Sequence, residues 1–212
     1  MVTTLVASLL VGGSFSTSPT PAAGRYDLLT KTLICDNKAS LIGNDDVYGI
    51  SVFYGTDPAD AGVKGYAKFS AQGMKKGTSK ALNLPIVRRF SFVKDPGLYF
   101  VHTMLCEQDR ENPTAIQNAF LAACKENIVS LVQDDLNFLR ILREIESQTR
   151  KKMRASGRWL RNDEDVIGYS VINFPSDKVA LAETEGAEVR ADFYRPGGRG
   201  KYKMVHRLQK SN

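Results

Sequence analysis

The chain has 212 residues, a length typical of one domain or of one domain that carries a substantial insertion. Its apolar fraction of 42% and charged fraction of 25% suffice for a packed core and exclude a chain that is disordered throughout. Lys and Arg outnumber Asp and Glu by 29 to 23, a net charge that permits contact with phosphates, anionic lipid or an acidic partner without requiring any of them.

Residues 1–23 differ in composition from the rest of the chain. Residues 1–14 are apolar and precede an uncharged, turn-rich stretch, as in a secretory signal peptide. No Lys or Arg precedes them, however, and about a dozen apolar residues are too few to span a bilayer. We interpret 1–23 as an arm docked on the body or on a neighbouring subunit rather than as a leader, which slightly favours a cytoplasmic over a secreted protein.

The region from Tyr26 to Arg110 contains short apolar or alternating runs separated by Gly, Asp and Pro, which is the pattern of strands and turns. The predicted strands are 28–35, 47–54, 64–70, 86–93 and 98–106. No helical pattern intervenes between them, so we expect antiparallel pairing in a sandwich or barrel.

A helical segment follows. Residues 114–156 contain neither Gly nor Pro and predict one or two helices, beginning at Pro113, with a break at Asp134-Asp135, and ending at Gly157. Apolar residues recur in it at helical spacing: Ile128, Leu131, Val132, Phe138, Leu139, Leu142 and Ile145. We expect this stripe to pack on the sandwich or on a partner chain.

Strand patterns return over 166–174, 188–194 and 201–208. The predicted fold is therefore mainly β: one antiparallel β-sandwich of about eight strands over residues 24–212, with a helical insertion at about 113–157. A separate helical domain of that size would be small to fold alone.

Three acidic clusters adjoin predicted strand ends, at residues 44–46, 107–109 and 162–165. Asp and Asn favour turns through local hydrogen bonds, which explains each cluster taken alone. Grouped at one end of a sandwich, they would supply the carboxylate and carbonyl oxygens that Ca²⁺ takes from flexible loops.

Taken in chain order, these segments resemble the C2 domain, the calcium- and phospholipid-binding β-sandwich. Residues 41–48 (LIGNDDVY) resemble its first calcium loop, and residues 87–92 loosely match a mid-domain strand. Residues 105–110 (LCEQDR) resemble the third loop, and residues 164–168 (EDVIG) resemble its continuation.

The resemblance implies Ca²⁺ ligands at Asp46, Glu107, Asp109 and Asp165. Ser40 stands where the family has its first carboxylate, and the predicted helices would interrupt the third calcium loop. Both departures leave calcium-switched lipid binding open.

Basic residues are concentrated just after the helical stripe, where residues 150–161 contain six Lys or Arg. The candidate contact residues for an anionic membrane or a partner are Arg150, Lys151, Lys152, Arg154, Arg158, Trp159 and Arg161. A solvated helix C-terminus, where the dipole favours cations, explains the same cluster. Aromatic residues among the cations are too few to favour nucleic acid.

No catalytic constellation is present. The motifs Gly-x-Ser-x-Gly and His-Glu-x-x-His are absent. Cys106 and His102 lie in one apolar strand and are expected to be core residues. The three Cys and two His also argue against a disulfide scaffold and a structural zinc site.

These patterns predict a non-enzymatic binding or assembly module with Ca²⁺ at one end, contacting an anionic membrane or a protein partner. The first alternative is a metal-independent subunit of a homo-oligomer that uses the arm and helix as contacts. The second is a secreted effector or toxin-associated domain.

Calorimetric titration tests the calcium prediction. We expect binding heat and a thermal shift at millimolar Ca²⁺, and the loss of both in Asp109→Asn, because the variant removes a carboxylate ligand. A wild-type protein that matches Asp109→Asn, with neither heat nor shift, contradicts it.

Overall fold

A computed structural model of the chain describes residues 24–39, 45–93, 95–108, 113–133, 138–155, 166–195 and 200–212. These residues form eight strands: β1 Tyr26–Asn37, β2 Asp45–Gly55, β3 Gly62–Met74, β4 Thr78–Phe90, β5 Tyr99–Glu107, β6 Val166–Asn173, β7 Ala187–Tyr194 and β8 Lys201–Lys210. Their helices are α1 Pro113–Gln133, α2 Phe138–Ala155 and α3 Ser176–Ala182.

The strands pair antiparallel in two four-stranded sheets. The first sheet has the order β4-β1-β8-β7 and the second has the order β3-β2-β5-β6. The predicted mainly β fold, an eight-stranded sandwich with a helical insertion, is confirmed. Strands β1, β3, β5 and β7 end, and strands β2, β4, β6 and β8 begin, at the same end of the sandwich, which we name the loop end.

Two elements differ from the prediction. Strand β4 begins at Thr78 rather than at residue 86, because the polar segment read as a loop pairs with β1 at the sheet edge, with Lys80 opposite Leu33. Gly77, at φ +80°, makes the tight β3–β4 turn. Helix α3 was not predicted, since seven residues are too few to show a helical period.

The outer faces of the two sheets are covered differently. The second sheet packs its outer face against α1, through Tyr48, Ile50, Val52 and Tyr54 on β2 and Phe120 on α1. Strand β2 is therefore buried on both faces, which fits its nearly continuous apolar sequence.

The first sheet instead presents charged side chains to solvent. Its ion pairs include Lys31 with Glu188 at 2.5 Å and Lys203 with Asp36 at 2.7 Å. Pairs this exposed stabilise a fold little, but they satisfy the charges of this face locally.

A band of four fully buried polar residues crosses the core between the sheets. His206 lies 3.5 Å from Thr30 Oγ1 through Nδ1 and 3.4 Å from Thr103 Oγ1 through Nε2. Thr103 in turn bonds Ser51 at 2.9 Å. Apolar clusters around Phe53 and around Leu105 lie on either side of the band.

Acid should destabilise this fold through its two buried histidines. Burial lowers the pKa of His102 and of His206 to about 3, against an unfolded value of about 6.5. The unfolded chain therefore binds protons first as the pH falls, so stability is complete above about pH 6.5 and lost between there and about pH 3. The loss approaches about 1.4 kcal/mol per pH unit for each histidine.

Urea unfolding across this pH range measures the effect. We expect His206→Gln, which cannot titrate, to halve the slope of unfolding free energy against pH at about pH 5 to 6. An unchanged slope would show that His206 takes up no proton on unfolding.

Candidate functional site

The loop end brings together the strand ends that adjoin the three acidic clusters. Val47 pairs with Glu107 across β2 and β5, and Cys106 pairs with Val166 across β5 and β6. Asp109 and Asp165, two of the predicted ligands, lie outside the described residues.

Asp46 is exposed and ties the β3–β4 hairpin to β2. Its Oδ1 accepts a hydrogen bond from the Gly73 amide at 2.7 Å, and its carbonyl accepts one from the Gln108 amide at 2.6 Å. The first bond engages one oxygen of the Asp46 carboxylate, whereas the second is made by the backbone alone.

Glu107 is nearly buried, at 6% exposure, and is bound by an arginine from the other sheet. Its Oε2 lies 3.0 Å from Nη1 of Arg195, which directly follows β7. The Arg195 amide donates to the Gly200 carbonyl at 3.0 Å, which holds the backbone of this residue in place. A guanidinium therefore supplies the positive charge beside the Glu107 carboxylate.

Sequence reasoning chose Asp46 over its neighbour Asp45, yet Asp45 is the buried member of the pair. The Asp45 carboxylate accepts hydrogen bonds from the Ala39 amide and the Tyr202 hydroxyl. Burial and this bond raise the pKa of Tyr202 far above its usual value. Alternation along β2 carried the missing signal, since Asp45 shares the inward face with Val47.

The described acidic residues do not by themselves fit a calcium site. Glu107 is engaged by Arg195 and Asp46 by the Gly73 amide, so the two carboxylates serve different partners. Among the residues described, no three His, Cys, Asp or Glu side chains are grouped so as to hold a metal ion. Calcium binding stays a prediction that depends on Asp109 and Asp165.

Helix α2 is strongly amphipathic and carries six Lys or Arg against two Glu. Leu142, Ile145 and Thr149 are buried, and α2 packs chiefly on α1, where Gln148 bonds Asn127 at 2.9 Å. No helix in the described ranges is long and apolar enough to cross a membrane.

The exposed side of α2 is basic. Arg140, Arg143 and Lys151 are exposed at helical spacing, and none of them has an ion-pair partner among the residues described. We name these three residues the basic face. Glu144 lies beside them and accepts a hydrogen bond from Gln148 at 3.1 Å.

The remaining predicted contact residues are placed only in part. Arg150 is half-buried on α2. Lys152 and Arg154 belong to the helix, but their side chains lie outside the description, as do Arg158, Trp159 and Arg161 entirely.

His102 and Cys106 are both fully buried, as expected for core residues. Cys106 lies among Tyr48, Met104 and the other apolar residues beneath α1. Neither side chain reaches solvent.

The buried pair between Arg195 and Glu107 should stabilise the loop end. Arg195→Met removes the guanidinium from a nearly buried carboxylate, and we expect a loss of about 3 kcal/mol in unfolding free energy. The matched control, Lys31→Met, breaks the more exposed pair with Glu188 and should cost less than about 1 kcal/mol.

Chemical denaturation of both variants, and of Arg195→Met combined with Glu107→Gln, measures these losses. The double variant should recover part of the loss, because Gln removes the buried carboxylate charge that Arg195 faced. Equal losses for Arg195→Met and Lys31→Met would contradict a buried role for the pair.

Comparison with known proteins adds no family assignment. No protein-family model matches the sequence, and no curated protein matches it. The resemblance to C2 domains therefore depends on the loop motifs alone.

Proposed function

We propose that this protein is a non-enzymatic binding module that docks on anionic phospholipid headgroups through the basic face of α2. The observation that carries the proposal is the position of Arg140, Arg143 and Lys151, exposed on a helix whose opposite side is buried. The loop motifs that resemble C2 domains support the same class of function.

Cations without an ion pair occur on both outer faces, since Lys80, Arg88 and Arg190 of the first sheet are also exposed and outside the described ion pairs. What distinguishes the basic face is that its three cations share one side of one helix. On the outer face of the first sheet, Lys31, Lys203 and Arg207 already lie beside Glu188 or Asp36. At the loop end, Arg195 is committed to Glu107. The basic face is left with cations that no described carboxylate neutralises by an ion pair.

Electrostatics sets the expected strength of docking. Each Lys or Arg close to an anionic membrane contributes about 1 kcal/mol, an attraction that fades within a Debye length. Three such residues together contribute about 3 kcal/mol, or about a hundredfold in the partition coefficient.

Calcium is not required by this mode of docking, because cations of the protein make the contact. A calcium ion held by Asp109, Asp165 and neighbouring oxygens would add positive charge at the loop end. Membrane binding measured with a calcium chelator present therefore reports the attraction due to the protein's own cations, without any contribution from a bound calcium ion.

Vesicle co-sedimentation tests the proposal. With a chelator present, we expect the protein to sediment with vesicles that contain phosphatidylserine and not with phosphatidylcholine alone. Replacing Arg140, Arg143 and Lys151 by Gln should lower the partition coefficient about a hundredfold, and high salt should act similarly.

The matched control removes three exposed cations from the first sheet, as Lys80→Gln, Arg88→Gln and Arg190→Gln. It should lower binding less than about threefold, because long-range attraction is screened. An equal fall in both triple variants, binding only with Ca²⁺, or no preference for anionic vesicles would refute docking through the basic face.

A further inference from the structure

His102 lies in the layer between the second sheet and the helices. It is fully buried on β5, and its ring packs edge to face against Phe120 of α1, with centroids 4.9 Å apart. Tyr169 of β6 packs against it at 6.2 Å. The imidazole therefore touches both the sheet and the helix that covers it.

Neither ring nitrogen of His102 has a hydrogen-bond partner within the part of the chain that the structure describes. A neutral imidazole carries one donor and one acceptor, and both are normally satisfied when buried. His206 is equally buried, yet it has Thr30 and Thr103 beside its nitrogens. His102 is thus a buried polar side chain that gains no hydrogen bond from described residues while the helices cover it.

Among the described residues, no charged group acts on the His102 imidazole itself, since burial is the only cause of its lowered pKa. The titratable or charged groups of this layer are Tyr48 and Tyr54 on β2, Cys106 on β5, Tyr169 on β6, Cys124 on α1, and Glu146 and Arg150 on α2. Burial raises the pKa values of Tyr54, Tyr169 and Cys124, so these groups stay neutral in acid. Glu146 and Arg150 influence the Tyr169 hydroxyl, whereas burial alone accounts for the lowered pKa of His102.

The helical hairpin, formed by α1 and α2, can separate from the sandwich without breaking either sheet. It is an insertion between β5 and β6, and it holds no strand. Its described polar ties include bonds from Gln117 Nε2 to the Gly49 carbonyl at 2.8 Å and to the Phe69 carbonyl at 3.3 Å, and a bond from Lys68 to Asn118 at 2.6 Å. Arg150 of α2 also interacts with the Tyr169 hydroxyl of β6. Apolar packing beneath α1 accompanies these ties.

We propose that the helical hairpin is an acid-released cover over the outer face of the second sheet, with His102 as the group whose protonation releases it. Release hydrates the imidazolium and uncovers an apolar surface that includes Ile50, Val52 and Met104. The inference goes beyond the proposed function and needs no membrane, so each can fail without the other.

The three cysteines are built-in probes of this opening. Cys106 and Cys124 lie in the layer beneath the hairpin, whereas Cys35 lies in the core between the two sheets. All three are buried thiols that form no disulfide. Opening of the hairpin exposes the first two, and only unfolding of the sandwich exposes Cys35.

The experiment is labelling of the full chain with a pyridyl disulfide reagent, with each cysteine followed by mass spectrometry. Rates are divided by those of the denatured chain at the same pH, which removes the intrinsic reactivity of the thiol. Between about pH 7.5 and pH 5, the shift of the His102 pKa from about 3 when closed to about 6.5 when open predicts a rise of about 30-fold at Cys106 and Cys124.

His102→Gln and His206→Gln form the matched pair of variants. In His102→Gln, which stays neutral, the rise at Cys124 should fall below about threefold, whereas His206→Gln should retain it. The labelling rate of Cys35 should stay far below that of Cys124 over the whole pH range. Parallel rises at Cys35 and Cys124 in the wild type, or a full rise in His102→Gln, would overturn the proposal. Even if a variant fails to fold, the labelling rates of Cys35 and Cys124 in the wild type still test whether acid releases the hairpin from an intact sandwich.

Discussion

The need to cover the outer face of the second sheet shapes the rest of this molecule. Strands β2 and β5 are buried on both faces, so the sandwich alone would leave Tyr48, Ile50 and Val52 in water. Fully burying side chains of this size contributes about 1.5–3 kcal/mol each. The hairpin inserted between β5 and β6 provides that cover, chiefly through α1, and α2 packs on α1. A third layer is thus required by the composition of the sheet it covers.

This requirement also explains the different characters of the two inserted helices. Helix α1 packs on the second sheet and on α2, so it has Phe120, Ala123 and Cys124 fully buried. Helix α2 meets the protein on one side only, which frees its other side for charged residues. The basic surface follows from this one-sided packing, and the net charge of +6 is unevenly placed.

Much of the fold could be predicted from periodicity. Alternation and turn residues located all eight strands, and the segment without Gly or Pro located both long helices. The predicted start of strand β4 is too late in the chain, because the sequence of a polar edge strand resembles a loop until its pairing with β1 is known. The nearly unbroken apolar run of β2 contained the sign that both its faces are buried.

The candidate site was harder to predict, because its contacts join residues far apart in the chain. Arg195 pairs with Glu107, which lies 88 positions earlier in the chain, and no local spacing in the sequence predicts that pair. Asp45 and Asp46 are adjacent and chemically alike, and only the inward face of β2 separates their roles. A loop motif shows which residue types are present. Whether such a side chain can bind a ligand depends on the hydrogen bonds and ion pairs that it already makes in the fold.

The polar band at the centre of the sandwich has a consequence for mechanical behaviour. Thr30 and His206 on one sheet face Ser51 and Thr103 on the other, with hydrocarbon on both sides. Apolar side chains tolerate sliding past one another, but a shift of the sheets by one residue pair would carry these four groups into hydrocarbon without partners. The band therefore resists sliding of one sheet against the other along the strand direction, and it favours a single alignment of the two sheets.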